Sequence, residues 1–498
     1  MTEGKVACID AILQALSDAS VDLITFVPGY PVTEIADALG DAAQISVNEK
    51  VALEIALGAS SSGSRAMVLV KNLGMNLLAD PLSISATHTI GAGLVVMVGD
   101  DVGPRGSQIE LDSRYYGAAF ELPLLDPGDP IGIYSAIGEA YQLSEAIRAP
   151  VVVRITNKLI EDRSEGSIDQ SSRWTREGAG KSGRPKPPKK KFDRAIWELT
   201  SHGRHQRYYR EALPIAEEAS ERTSLNIVEV SSDIGIIASG RAGRLALDLG
   251  TSLLVPIYAY PLPWGLIRSF IDKHRRILVA EEAQPFIESQ LRISDKVCGK
   301  LTGHLPFGGI EASDLKRAID EIDRPAQQIY SLQKAKDFGT KRICEDCPYI
   351  QLYEAISDID VPVAGDAGCN FLAVRRPFEA VDLVYGLGSS IGVASGFDRK
   401  GIALIGDYAL AHSGLQGLIN ADWQKRSLLV VLLENSVAAM SGGQPVPSYT
   451  HLLEAIVPET RQLQLPAPAG SIKETIEAEL ARPGISALVA SARCPRFL

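Results

Sequence analysis

Two oxygen-bearing side chains stand at the ends of neighbouring apolar runs. Ile402 to Ile405 leads into Gly406-Asp407, a helical segment follows from Gly414 to Lys425, and a second run from Ser427 ends in Glu434-Asn435. This order reads as strand, turn, helix, strand, with both polar ends at the carboxyl edge of a parallel sheet, where open α/β folds bind ligands. A carboxylate and an amide oxygen are hard donors suited to a magnesium ion holding a diphosphate. The same pattern also fits an ordinary strand–helix–strand unit.

Other residue types could do chemistry elsewhere. Asn48-Glu49 follows an apolar run, where an acid at a helix start serves either as a reactive carboxyl or as a cap and dipole partner. Lys71 and Arg114, each beside a predicted strand end, could pair with a substrate carboxylate or form structural ion pairs. Cys344 and Cys347 form a Cys-x-x-Cys, and Cys369 follows after a strand in Gly365-Asp366-Ala367-Gly368-Cys369. Three such thiols could ligate an iron–sulfur cluster, with a fourth from Cys494 or Cys298; a redox pair or inert thiols are the alternatives. Tyr385 to Ala394 is a small-residue turn entering a helix, where backbone N–H groups can meet a diphosphate. His412 could shuttle protons or be structural.

The elements that position these residues alternate. Helical periodicity spans residues 5–19, and strand-like runs follow at Leu23–Val27, Gln44–Val47, Met67–Val70, Leu94–Val98 and Val151–Ile155. Alternating strands and helices predict a doubly wound parallel sheet. Prolines, glycines and charge mark 163–191 as a linker, with a basic cluster at 181–191. A second α/β domain is predicted over 192–330, with strands at Asp233–Ser239, Ser252–Ile257 and Arg276–Val279, and a third over 340–498. The chain's 498 residues have room for about three domains. A net charge of −11 argues against nonspecific nucleic-acid binding. The longest apolar run falls short of the roughly 18 residues of a membrane span. Six cysteines in a chain this long, with no signal peptide, predict a reduced, cytoplasmic setting.

The Gly406-Asp407 to Asn435 stretch resembles the thiamine diphosphate signature, Gly-Asp-Gly through to Asn-Asn, with Tyr408 and Glu434 as departures. Val70 to Pro81, Ser107 to Gly117, Pro28-Gly29-Tyr30-Pro31, Ala280 to Glu288 and Ala438 to Pro445 resemble the large subunit of indolepyruvate:ferredoxin oxidoreductase, a 2-oxoacid oxidoreductase. The resemblance runs over 21–498 in that family's order: pyrimidine-binding domain (1–162), transketolase-C-terminal-like assembly domain and diphosphate-binding domain. It implies the thiamine diphosphate-binding fold, with three doubly wound domains.

The resemblance also implies roles. Asp407 and Asn435 would bind Mg²⁺, with the carbonyl of Val437 as a third donor. Gly388, Ser389, Gly406 and Met440 would border the cofactor, and Ile391 would support it. Glu49 would be the activating carboxyl beside N1′ of the aminopyrimidine, where general acid–base chemistry is needed. Cys344, Cys347 and Cys369 would hold a [4Fe-4S] cluster. The implied reaction is oxidative decarboxylation of a 2-oxoacid, an arylpyruvate among the candidates, with coenzyme A taking the acyl group and electrons passing to a ferredoxin-like acceptor. A homodimer, or a heteromer with a small oxidoreductase subunit, would follow. The family's ferredoxin-like domain with two cluster motifs is not found after Leu498, which leaves a non-redox decarboxylase or carboligase as the alternative. A cofactor-free scaffold would be expected only if Glu49, Asp407 or Asn435 were absent.

Overall fold

The computed structural model describes residues 5–165, 168, 192–291, 295–327 and 342–497. Most of the predicted linker and its basic cluster lie outside the described residues. The chain divides into two compact units, Met1–Lys334 and Ala335–Leu498.

The first unit is built on two sheets. The larger has seven strands in the order Tyr258–Tyr260, Leu124–Leu125, Val151–Thr156, Leu94–Asp100, Ala66–Lys71, Leu23–Phe26 and Ala43–Ile45. All neighbours are parallel except Tyr258–Tyr260, which runs antiparallel to Leu124–Leu125. Parallel strands are covered by helices on both faces and therefore read as unbroken apolar runs. Val95, Val96, Met97 and Val98 are accordingly all fully buried. Helix starts are capped by side chains: Asn48 Oδ1 accepts from Val51 N, and Asp129 Oδ1 from Gly132 N beside a proline in the first turn.

The smaller sheet is ordered Val297–Cys298, Arg276–Ala280, Ile234–Ala238, Ser252–Val255 and Ile227–Glu229, the last antiparallel. The segment 192–330 thus builds this sheet but also lends Tyr258–Tyr260 to the larger one. Helical periodicity at 5–19 gives way to strand over Lys5–Ala7, because these residues pair antiparallel with Arg163–Glu165. That pairing also draws 163–165 out of the predicted linker.

A buried charged node joins the two sheets. Arg114, fully buried, donates from Nε to Asp112 (2.9 Å), from one terminal nitrogen to Glu281 (2.6 Å), and from the other to Asp112 and the carbonyls of Glu282 and Gln284. Arg154 binds Asp100 at 2.6 Å and Asp126 at 3.0 Å, and Ser239 of the smaller sheet donates to Asp126. Two guanidinium groups therefore face four carboxyls. Burial pushes the Asp100 and Glu281 carboxyls above their ordinary range, while Arg114 and Arg154 outweigh burial at Asp112 and hold it below.

The second unit has a six-stranded, all-parallel sheet: Leu383–Val384, Val363–Gly365, Ile402–Gly406, Leu428–Glu434, Ile485–Ser491 and Arg461–Gln464. Successive residues of its central strand point to opposite faces. Leu429, Val431 and Leu433 enter one core, and Leu428, Val430 and Leu432 the other. Numbered by chain order within each sheet, the strands here and the six parallel strands of the large sheet share one order, 2-1-3-4-6-5. Crossovers reverse direction between strands 1 and 3, which opens a crevice at their carboxyl ends.

The charged node makes a prediction for stability. Arg114→Met leaves Asp112 and Glu281 buried without their cation, and such a break costs about 3–5 kcal/mol. Urea unfolding should show that loss in the transition of the first unit. An unchanged midpoint would rule out the node as the joint between its sheets.

Candidate active site

The crevice of the second unit lies between Val363–Gly365 and Ile402–Gly406, and each strand is followed by an aspartate. Asp407 is buried at the start of a short helix. Its Oδ2 accepts from Asn435 N (3.0 Å) and Ser436 N (2.6 Å), and its Oδ1 from Tyr408 N (2.8 Å). Asn435 leaves the neighbouring strand, and its Oδ1 accepts from Val437 N at 3.0 Å. Ser436 carries the bend with φ 62°. The metal ligands inferred from sequence are thus drawn into one turn around Asp407. Burial pushes the Asp407 carboxyl up to about 6, against the pull of its three backbone donors. A carboxylate held in a buried edge, an amide oxygen with a second lone pair and nearby carbonyls form an oxygen donor set that fits Mg²⁺.

Gly388 has φ +78°, and a side chain there would collide with Ser413 Oγ (2.3 Å) and Ala409 O (2.6 Å). That glycine packs the 385–390 turn onto the π-helical turn Leu410–Gly414, a feature frequent at functional sites. His412 is buried within this turn, with Nδ1 3.2 Å from Ser413 Oγ, and Ser413 Oγ in turn donates to Leu387 O. Ser389 Oγ closes its own turn onto Gly386. Beneath it Ser390 Oγ is buried with no hydrogen-bond partner, and no signal in the sequence marked it. Met440 is exposed in a small hairpin where Val437 pairs with Pro445.

Glu434, a departure from the signature, accepts from Ser448, Thr450 and Ser491. Burial raises its carboxyl, but these three hydroxyls outweigh it and hold the group below its ordinary range. Asp366, missed in the sequence, is buried, accepts from Asn370 Nδ2 (2.6 Å), and is pushed by burial up to about 7.

The thiols also gather. Cys344, Cys347, Cys369 and Cys494 all lie in the second unit, and Cys347 and Cys369 each feel the charge of Cys344 and Cys494. Burial pushes the Cys347 thiol up to about 11 and Cys369 to about 12. Cys298 sits in the other unit, where its Sγ donates to Ile277 O. Among the described residues no three His, Cys, Asp or Glu side chains are placed to hold one metal ion. A four-iron cluster spreads its thiolates around a larger body than a single ion does. Tyr349, two residues after Cys347, donates its hydroxyl to Glu434 O at 3.1 Å, tying the cysteine turn to the strand that leads into Asn435.

In the first unit, Glu49 begins the helix Glu49–Ser61, after the strand Ala43–Ile45, and is buried. Its carboxyl lies on Gly74: a Cβ there would stand 2.5 Å from Glu49 Oε1. Lys71 ends its strand half-buried and packs over Gly29. Two residues leave the candidate set. Arg114 is fully buried and donates from all three of its nitrogens to internal carboxylates and carbonyls, the structural ion pair of its two readings. Ile391 is fully buried in a hydrophobic core with Ala364, Ile405 and Leu418, so packing accounts for it rather than support of a cofactor.

Two predictions follow from these positions. Gly74→Ala should fold normally but displace the Glu49 carboxyl, and turnover should fall about 100-fold, the usual cost of a misplacement near 1 Å. Retained turnover would remove Glu49 from the reaction. Asp407→Asn should lower Mg²⁺-dependent retention of thiamine diphosphate on the order of 100-fold, read by equilibrium dialysis.

Comparison with known proteins bears on the same residues. The thiamine pyrophosphate enzyme, C-terminal TPP binding domain, matches residues 366–468, which include Asp407 and Asn435. The indolepyruvate oxidoreductase subunit IorA of Archaeoglobus fulgidus is 31% identical, over 88% of this chain and 75% of that protein. That of Methanothermobacter thermautotrophicus is 30% identical, over 88% and 76%. Among solved structures, 2-oxoglutarate:ferredoxin oxidoreductase from Magnetococcus marinus aligns with TM-score 0.49 and 17% identity, covering 64% of each chain. The match in sequence, the thiamine pyrophosphate domain and the site built on Asp407 lead to one statement: the chain belongs to the family of the indolepyruvate oxidoreductase subunit IorA, thiamine pyrophosphate-dependent 2-oxoacid oxidoreductases.

Proposed function

We propose that this chain is the thiamine diphosphate-binding subunit of an enzyme that converts a 2-oxoacid, an arylpyruvate such as indolepyruvate, to its acyl-CoA with loss of CO₂. Cys344, Cys347 and Cys369, with Cys494 as a fourth thiol, would hold a [4Fe-4S] cluster, which would supply the electron path to a ferredoxin-like acceptor. The observation that carries this reading is the turn at Asp407, whose carboxylate three backbone donors orient beside Asn435 within the matched thiamine pyrophosphate domain; Tyr349 ties the Cys-x-x-Cys turn to the same sheet edge. Its relatives are named as subunits, which supports a heteromer with a second, smaller oxidoreductase subunit.

The cofactor, when bound, supplies the carbon chemistry. The residues supply the rest. Asp407, Asn435 and the carbonyl of Val437 hold Mg²⁺ against the diphosphate. Gly388 and Ser389 let the backbone approach it. Glu49 holds and exchanges a proton at N1′ of the aminopyrimidine, from a buried position fixed by Gly74. His412 moves a proton near the substrate, and Lys71 pairs with its carboxylate. Burial raises the Cys347 and Cys369 thiols, which makes them poor nucleophiles.

Anaerobic purification with iron, sulfide and thiamine diphosphate quantified, then indolepyruvate and pyruvate turnover with a viologen dye, tests the reading. About four irons per chain, bound cofactor and dye reduction are expected. Bound cofactor with neither iron nor dye reduction would overturn the redox assignment in favour of a non-redox decarboxylase or carboligase.

A further inference from the structure

Residues 436–449 leave the strand Leu428–Glu434 beside Asp407, form the Val437–Ala438 and Gln444–Pro445 hairpin, and return at the helix Thr450–Ile456. The loop carries Val437 and Met440. Its stem begins at Ser436, whose N–H binds Asp407, and Val446 N donates back to Ser436 O at 2.8 Å. Its returning end is held from the strand it left. Glu434 Oε1 accepts from Ser448 Oγ (2.5 Å) and Thr450 Oγ1 (2.6 Å), while Oε2 accepts from Ser491 Oγ (3.0 Å). One carboxylate thus fastens three segments: the exit of the loop, the start of the next helix and the end of the strand Ile485–Ser491. The backbone of Glu434 is fixed as well, since its carbonyl accepts from Ala492 N and the Tyr349 hydroxyl. An amide would bring one acceptor oxygen and no charge to the same place.

We propose that Glu434 is a positioning residue that clamps loop 436–449 over the Asp407 edge, so that the loop's donors stand ready for the cofactor. The inference rests on the reading of that edge as the diphosphate site. A clamped loop costs less order on binding, and cofactor affinity reflects that saving.

The test compares Glu434→Gln with Ser448→Ala/Thr450→Val, which removes the hydroxyl partners and leaves the carboxylate. Hydrogen exchange of the unliganded chain is expected to rise about tenfold at the Gly443 and Val446 amides in both variants, with Val430 and Val431 protected as in the parent chain. Both should weaken thiamine diphosphate binding in the presence of Mg²⁺ by about tenfold, the loss falling on affinity rather than on turnover at saturating cofactor. Combining the substitutions should add little to either effect, because both break the same contacts. Unchanged exchange in Glu434→Gln would overturn the clamp. So would loss of saturated turnover in Glu434→Gln alone, since the carboxylate would then act on the reacting groups. A parent chain that binds no thiamine diphosphate would refute the reading of the edge, while the exchange measurement would still decide the clamp.

Discussion

The first unit depends on a paired charge that has no water to fall back on. Arg114 is wholly enclosed, and its hydrogen bonds run to Asp112 on one side and to the segment Glu281–Gln284 on the other. Burying an ion is costly unless the geometry is good and its remaining donors are met. Here they are met from two sheets, so neither sheet can shift without stranding a charge. The arrangement also explains two patches of family-like sequence, Ser107 to Gly117 and Ala280 to Glu288. They look like binding loops because they are polar, and they are polar because they bind each other.

The second unit solves a related problem with backbone instead of a counter-ion. Asp407 sits at a carboxyl edge where three N–H groups converge on it. Backbone donors hold the carboxylate's orientation without neutralising its charge, which leaves the group available to a cation. Glu434, one strand away, is met by side-chain hydroxyls and serves the loop. Two acids near one edge are thereby given different work by the kind of donor that each one faces.

Much of this was legible in the residues. Central parallel strands are long apolar runs, so their positions were read to within a residue or two, as at Ile402–Gly406 and Leu94–Asp100. The shortest strands escaped notice because two or three residues, as at Leu124–Leu125 and Tyr258–Tyr260, carry no periodicity. Asp407 and Asn435 were found together because turn chemistry at strand ends is local. The sequence left Arg114 between a substrate partner and a structural ion pair, because Glu281, like the core around Ile391, is distant in sequence and visible only after folding. Asp366 was not singled out, because its place beside Gly406 depends on strand order, and strand order is not written in any short motif.

The contact of Glu49 with Gly74 has a use in sorting related chains. An Asn-Glu pair after a second strand is a short text that recurs by chance, and its presence says little. The residue opposite it says more, because any side chain at the position of Gly74 would occupy the space of the carboxyl oxygen. A chain that keeps the pair and fills the facing position has retained the spelling of the motif and lost its geometry. On the role proposed for Glu49, two positions read together therefore separate working copies from relics in a way that neither letter does alone.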